Sequence, residues 1–363
     1  MLPPDAGIRG VAMIEPKLKP APKRAVEQGG QVNYGYYLGE FAELNLLDAP
    51  LDGRGSREPR LIRKLRLKEW QHVALISPTH WVSLSMVNAQ YLNVSWCYVF
   101  DRESGELIEH KHNARPGAVR VPRELWNDTC SFVLPGYGVR IHNQLAQGRH
   151  VIEIDIAATK KLPAFAGRVI AYEDPDEVQP LIPLLPMSSG RTFYTHKVPT
   201  PIEGELTVGE RKLTFERGRD VALFDVHKAF YPFRTYWNWA TFAGRDEKGG
   251  LIGASFTQGT AFDGREHTEN CLWSGNTIAL LPQVRFEVPK DTLDRWKLST
   301  LDGRCELEFE PQGQRSESIR VGPIISEYFQ PFGLFNGFIV DEQGVRREIK
   351  NQFGCTEKHA STW

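Results

Sequence analysis

Val139-Arg-Ile-His-Asn-Gln-Leu-Ala-Gln-Gly-Arg-His-Val-Ile-Glu-Ile-Asp155 reads as a strand, a tight Gly-containing turn and an alternating second strand. Trp296-Lys-Leu-Ser-Thr-Leu-Asp-Gly-Arg-Cys-Glu-Leu-Glu-Phe309 repeats that plan in the second half of the chain. Working outward, Trp70–Ala89 corresponds by position to Arg234–Phe256, and Tyr194–Phe224 to Tyr328–Phe353. Self-similarity at this scale predicts two β units of one design in tandem. Short runs rich in Val, Ile, Tyr, Phe, Trp and Thr, separated by turns such as Asp101-Arg-Glu-Ser-Gly105 and Arg245-Asp-Glu-Lys-Gly-Gly250, make the chain all-β. Only Pro122–Asn127 and Pro289–Trp296 read as single helical turns, opened by a proline whose missing N–H is harmless there.

Proline placement sets the expected boundaries. Residues 1–30 carry Pro3, Pro4, Pro16, Pro20 and Pro22 among charges, which suits an extended lead-in. Pro180-Leu-Ile-Pro-Leu-Leu-Pro-Met-Ser-Ser-Gly190 reads as a connector, dividing a first unit at 31–190 from a second at 191–363.

Composition narrows the function classes. A formal charge of −1 over 363 residues lacks the basic excess of a protein built on nucleic acid. No apolar run reaches the roughly 20 residues that span a bilayer, and the first residues lack the pattern of a secretory leader, so the cytoplasm is the expected location. The five cysteines (Cys97, Cys130, Cys271, Cys305, Cys355) are scattered, odd in number and contain no C-x-x-C, so reduced thiols are expected. No nucleophile elbow, phosphate loop, H-E-x-x-H or strand-following G-x-G-x-x-G is present.

What stands out chemically is Ala229-Phe-Tyr-Pro-Phe-Arg-Thr-Tyr-Trp-Asn-Trp-Ala-Thr-Phe242, with His227 before it and Thr268-Glu-Asn-Cys-Leu-Trp273 after. Indoles and phenols combine a large apolar face with a polar tip, which suits the wall of a ligand pocket. Strand alternation sends Arg234, Tyr236, Asn238 and Ala240 to one face and Thr235, Trp237, Trp239 and Thr241 to the other. Glu269 is the nearest counter-charge for Arg234, either as a structural ion pair or as a general acid or base tuned by an apolar pocket. Asp225 and His227 share a strand face, which fits either a carboxylate-oriented imidazole for proton transfer or a solvated strand end. His80 and Trp81 occupy the matching region of the first half. His110 and His112 stand two apart among charges and read as exposed hairpin, so no metal is expected. Tyr34 and Tyr36 share a face and read as capping aromatics at a barrel end.

The Tyr231-Pro-Phe-Arg-Thr-Tyr-Trp-Asn-Trp-Ala240 run, Thr268-Glu-Asn270 and Phe353-Gly-Cys-Thr-Glu-Lys-His359 carry a resemblance to a bacterial family of unknown function. More distantly, the paired units and the Trp-x-Trp strand resemble lipocalin-type two-barrel proteins that include carotenoid hydratases and tocopherol cyclase. The resemblance implies two calycin-type antiparallel barrels with an apolar pocket at one mouth or between them, and transfers no catalytic residue position by position. The resulting expectation is an apolar ligand, lipid or isoprenoid-like, and cofactor-free hydration, cyclisation or isomerisation. Arg234 or Tyr236 would stabilise charge, and Glu269 or His227 would move the proton. Tyr231, Trp237, Asn238, Trp239, Asn270 and Trp273 would contact the ligand, with His80 and Trp81 as further candidates. The alternative is a carrier or sensor that leaves the same ligand unchanged.

Overall fold

The computed structural model describes residues 14, 16–51, 58–264, 266–322 and 324–362. They form two antiparallel sheets of one plan. In the first, Lys68–Ile76, His80–Asn88, Asn93–Asp101 and Leu107–Ala114 run as a meander. Val119–Arg120, Thr129–Leu134, Tyr137–Gln144, Arg149–Ile156, Phe165–Tyr172 and Thr192–Val208 continue the sheet. Val221–Ala229 then returns to pair with the first strand, setting His227 opposite Trp70. The second sheet runs from Arg234–Arg245 through Leu251–Gly259, Cys271–Ser274, Thr277–Leu280, Val284–Glu287, Trp296–Thr300, Cys305–Val321 and Ile324–Val340. Its last strand, Arg346–Thr362, closes against its first and sets His359 opposite Trp237. Each sheet is left open at one seam, after Ala114 and after Leu280, so each is a curled half-barrel.

The duplication is therefore architectural. Trp70–Ala89 and Arg234–Phe256 are the opening hairpins of the two sheets, and Tyr194–Phe224 and Tyr328–Phe353 lie in the strands that close them. The Val139–Asp155 and Trp296–Phe309 hairpins sit one strand out of step when counted back from the closing strand.

The division between the sheets does not coincide with the expected boundary at 190. Thr192–Val208, Arg211–Phe215 and Val221–Ala229 all pair within the first sheet, and the crossing to the second falls between Ala229 and Arg234. The proline-rich stretch is itself a short strand, Ile182–Pro186, pairing with Thr192–Tyr194 and with Gly35–Tyr37. Closure puts a unit's last strand beside its first, a long-range relation that local composition does not display. Pro122–Asn127 and Pro289–Trp296 form bends and turns, and the α-helix among the described residues, Arg60–Arg66, was not anticipated. Much of the expected lead-in, 1–13 and 15, lies outside the described residues. From Leu18 onward it docks, with Leu18–Lys19 parallel to Tyr36–Tyr37 and Ala25 and Val26 wholly buried.

The second sheet curls around its own core of Phe242, Phe256, Trp296, Phe309 and Phe335. Its opposite face carries Trp239, Trp273, Phe332, Phe353 and Cys355 into one continuous core with Val73, Trp81, Tyr98 and Phe224 of the first sheet. Each fully buried large side chain contributes about 1.5–3 kcal/mol of transfer free energy, so this shared core binds the two units together. A buried polar network locks the N-terminal segment on: His196 bonds Glu40 at 2.8 Å and Glu173 at 2.9 Å, His150 bonds Glu173 at 2.9 Å, and Tyr194 donates to Glu40 at 2.5 Å. The paired carboxylates hold the His196 imidazole up at about 10, against the opposing pull of desolvation. All five cysteines are buried free thiols. Among the described residues no helix is long and apolar enough to cross a membrane.

Candidate functional site

Strand alternation at four places delivers the walls of a cavity between the sheets. Trp70-Gln-His72, Asp225-Val-His227, Trp237-Asn-Trp239 and Glu357-Lys-His359 each turn their outer two residues toward it. The first two pairs come from the first sheet and the last two from the second. The cavity encloses about 160 Å³. Its rim holds half-buried Tyr91, Leu92, Ile319 and Ser326 and exposed Tyr236.

A column of flat rings forms one wall. His227 stacks on Trp70 with centroids 3.9 Å apart and planes at 15°, and His359 stacks on Trp237 at 3.9 Å and 6°. Trp70 and Trp237 lie 6.0 Å apart at 25°, with Tyr231 roughly parallel to both. The two halves repeat a motif in which each Trp faces the His across its strand pair and donates its indole N–H to the carboxylate two residues before that His. Trp70 Nε1 donates to Asp225 at 3.1 Å, and Trp237 Nε1 to Glu357 at 3.0 Å. Both imidazoles are deprived of water and pulled down to about 3 by burial, so both are neutral at physiological pH. His227 Nε2 shares a hydrogen bond with the Tyr231 hydroxyl at 3.0 Å.

The two carboxylates differ in surroundings. Burial opposes ionisation of Asp225, but the Lys197 ammonium at 3.1 Å and bonds from Trp70 and Thr195 prevail and hold it at about 2. Among the described residues no cation lies within ion-pair distance of Glu357, and Lys197 acts on it only from farther off. Glu357 accepts from Tyr328 at 2.5 Å, Gln330 at 2.9 Å and Trp237, yet desolvation prevails and its pKa is raised. A relay of hydrogen bonds reaches it from the first sheet: Trp81 donates to Tyr98 at 2.9 Å, and Tyr98 to Gln330 at 2.7 Å.

Glu269 completes the chemistry. Its Oε1 accepts from Thr257 at 2.5 Å, while Oε2 lies 3.5 Å from Lys197 Nζ and makes no hydrogen bond among the described residues. Burial raises its pKa, with Asp225 adding to the rise and Lys197 opposing it. The Lys197 ammonium also rests 4.6 Å over the Trp239 ring. Tyr36 fixes the backbone next to Glu269, donating to the Thr268 carbonyl at 2.6 Å. Farther along the cavity Arg315 lies over Trp96 at 4.2 Å and is bound by Glu109 at 2.6 Å and Glu317 at 2.9 Å.

The anticipated residues are thus sorted by tertiary position. Glu269, His227, Tyr231, Tyr236, Trp237 and Trp239 line the cavity. Arg234 does not: it is exposed at the start of its strand, and the partner expected for it, Glu269, is paired with Lys197 instead. Apart from Tyr236 at the rim, the face chosen for Arg234 and Asn238 leads through Ala240 into the second sheet's own core, and the opposite, tryptophan-bearing face meets the cavity. Asn238 stands outside the lining. Asn270 braces the turn, accepting from Thr257 N at 2.7 Å and donating to Pro282 O at 2.8 Å. Trp273 is fully buried against Gln179 O, and Trp81 stands outside the lining, donating to Tyr98 and packing on Phe353. His80 sits at a distant hairpin beside Thr79 and Asp101. Sequence reading missed Trp70, Lys197, Arg315, Tyr328, Glu357 and His359. The signal available for two of them was the repetition of Asp225-x-His227 as Glu357-x-His359 in the closing strands.

Residues 19–363 match the model of a domain of unknown function, DUF2804, and the chain belongs to that family. None of the curated proteins matches it in sequence. Among solved structures it is similar to kievitone hydratase from Nectria haematococca, at 8% identity over 82% of this chain and 88% of that one, with a TM-score of 0.43. It is also similar to CghA, solved with Sch210972, at 9% identity over the same shares, with a TM-score of 0.46. The chain itself is all-β and built of two curled antiparallel sheets of one plan, as the sequence implied, each open at one seam.

Proposed function

Taking that family membership as premise, we propose that the cavity between the sheets binds an apolar, lipid or isoprenoid-like small molecule and carries out cofactor-free proton transfer on it, as in hydration, cyclisation or isomerisation. The observation that carries this reading is Glu269: a buried carboxyl of raised pKa on the wall of an aromatic cavity, with one oxygen outside any hydrogen bond among the described residues and an ammonium at 3.5 Å. A protonated Glu269 donates to the ligand, and the carboxylate left behind is stabilised by Lys197. Positive charge developing on the ligand meets the faces of Trp70, Trp237 and Trp239. His227, neutral and bonded to Tyr231, orients rather than titrates. About 160 Å³ accommodates a ring-sized portion of a ligand, the remainder lying toward the rim.

A carrier or sensor is the second reading, favoured by the self-sufficiency of Asp225 and Glu357, each already held by three protein groups. Mass spectrometry of small molecules that co-purify with the protein, followed by incubation with wild type and Glu269→Gln, separates the two. Conversion lost in the variant supports catalysis, and an unaltered molecule retained by both proteins supports the carrier.

A further inference from the structure

Two donors in the cavity wall, on Arg315 and Trp96, have no acceptor among the described residues. Arg315 is 2% exposed and Trp96 9%, and both line the cavity. Arg315 Nε donates to Glu109 at 2.6 Å and Nη2 to Glu317 at 2.9 Å, which fixes the guanidinium 4.2 Å over the Trp96 ring. The remaining nitrogen, Nη1, and the indole Nε1 are both buried and make no hydrogen bond among the described residues. Neither group can become an acceptor, since guanidinium and indole nitrogens only donate. A buried donor left unpaired is costly, so this corner of the cavity calls for an oxygen.

The charges around that corner are already matched. Glu317 also pairs with the Lys111 ammonium, so Arg315 and Lys111 stand against Glu109 and Glu317. Glu317 itself lines the cavity. A ligand carboxylate would meet that carboxylate with no positive charge left over to compensate it, whereas a neutral oxygen accepts from the donors and adds no charge.

The geometry points to a neutral-oxygen subsite: the ligand carries a carbonyl oxygen that accepts from Arg315 Nη1 and Trp96 Nε1 while its apolar body lies along Trp70, Trp237 and Trp239. The substrate class is an oxygenated apolar molecule such as a ketone, aldehyde or ester, and neither a plain hydrocarbon nor a carboxylic acid. Arg315 and Trp96 set which molecule binds and which way round it lies, and Glu269 remains the group that moves the proton. This assignment rests on the reading of the cavity given above.

The test is equilibrium dialysis of the full chain against three probes built on one ring system, tetralin, α-tetralone and tetralin carboxylate, with wild type, Arg315→Lys and Trp96→Phe. Lysine keeps a cation for Glu109 and Glu317 but lacks Nη1, and phenylalanine keeps a ring under that cation but lacks the N–H. Arg315→Lys is expected to bind α-tetralone about tenfold or more weaker than wild type and Trp96→Phe about threefold weaker, with tetralin affinity held within about twofold in both. A variant that loses both probes alike makes its residue a packing element and overturns the inference, as does wild-type binding of α-tetralone by either variant. Tighter binding of tetralin carboxylate than of α-tetralone by wild type also overturns it. Infrared spectra of wild type give a readout that does not depend on either variant folding: the carbonyl stretch of bound α-tetralone falls below its frequency in water, because a charged donor and an indole hold the oxygen in a dry site. A stretch at or above the frequency in water overturns the inference. Binding of none of the three probes refutes the reading of the cavity and this subsite with it, whereas tetralin held equally by all three proteins, with α-tetralone unaffected by the substitutions, leaves the cavity standing and removes only the subsite.

Discussion

Lys197 Nζ and Glu269 Oε2 approach to 3.5 Å across the boundary between the two sheets. Lys197 belongs to the first sheet, in the Thr192–Val208 strand, and Glu269 leads into Cys271–Ser274 of the second. Neither half-barrel alone contains the pair, so the candidate chemistry exists only where the units meet.

Glu269→Gln tests the proton-transfer reading most directly. The amide keeps the shape and a partner for Thr257 but cannot protonate a ligand. Turnover is expected to fall about 10²–10⁴-fold with affinity held within a few-fold. A variant that turns over at the wild-type rate removes Glu269 from the mechanism.

Lys197→Met leaves Asp225 and Glu269 buried without their cation. A loss of about 3–5 kcal/mol in urea unfolding is expected, because a buried charge is then uncompensated. Adding Glu269→Gln to Lys197→Met should cost less than the sum of the single changes, since both substitutions remove the same Lys197–Glu269 contact. Strict additivity would mean that the two groups do not interact.

Trp237→Phe retains a flat ring against His359 and deletes the donor to Glu357. Losing a bond that favours the ionised form pushes the Glu357 carboxyl further up. Carboxyl-stretch infrared spectra should therefore show this side chain protonated to a higher pH in the variant. Trp237→Ala also removes the stacking surface, and ligand affinity should drop with it; unchanged binding would make the indole a packing element only.

Stability should fall as the medium is acidified below about pH 6.5. His72, His227 and His359 are held by burial at about 4, 3 and 3, so unfolding lets each take up a proton between those values and 6.5. Their neutral burial costs nothing in charge above 6.5 and is progressively lost in favour below it. His196 runs the other way: its pKa is raised to about 10, so its contribution is complete below 6.5 and lost as pH rises through 10. The expected profile of denaturation midpoint against pH has a maximum near neutrality. Replacing His359 by Gln should flatten the acid limb, and an unchanged limb would contradict the buried, neutral assignment.

Much of the architecture was legible before any coordinates. Period-two alternation and regularly spaced turns are local properties, and they were enough for the all-β class and the duplication. That the Tyr231–Ala240 run supplies cavity-lining residues was legible for the same reason, since aromatics with polar tips declare themselves by type. Arg234 misled because alternation defines two faces without saying which one is covered. Only the packing of the first sheet against the Trp237 and Trp239 face settles it.

The chain's own order of residues thus determined the strands, their two faces and the repetition of carboxylate-x-His in the closing strands. Tertiary structure decided where each unit ends, because closure joins Lys68–Ile76 to Val221–Ala229 across most of the first unit. It also decided which charges face one another. Lys197 follows His196 by one residue, yet the pleat sends the imidazole to Glu40 and Glu173 and the ammonium to Asp225 and Glu269. Those partners come from four separate parts of the chain. Their Coulomb energies depend on distances through space that sequence separation does not encode.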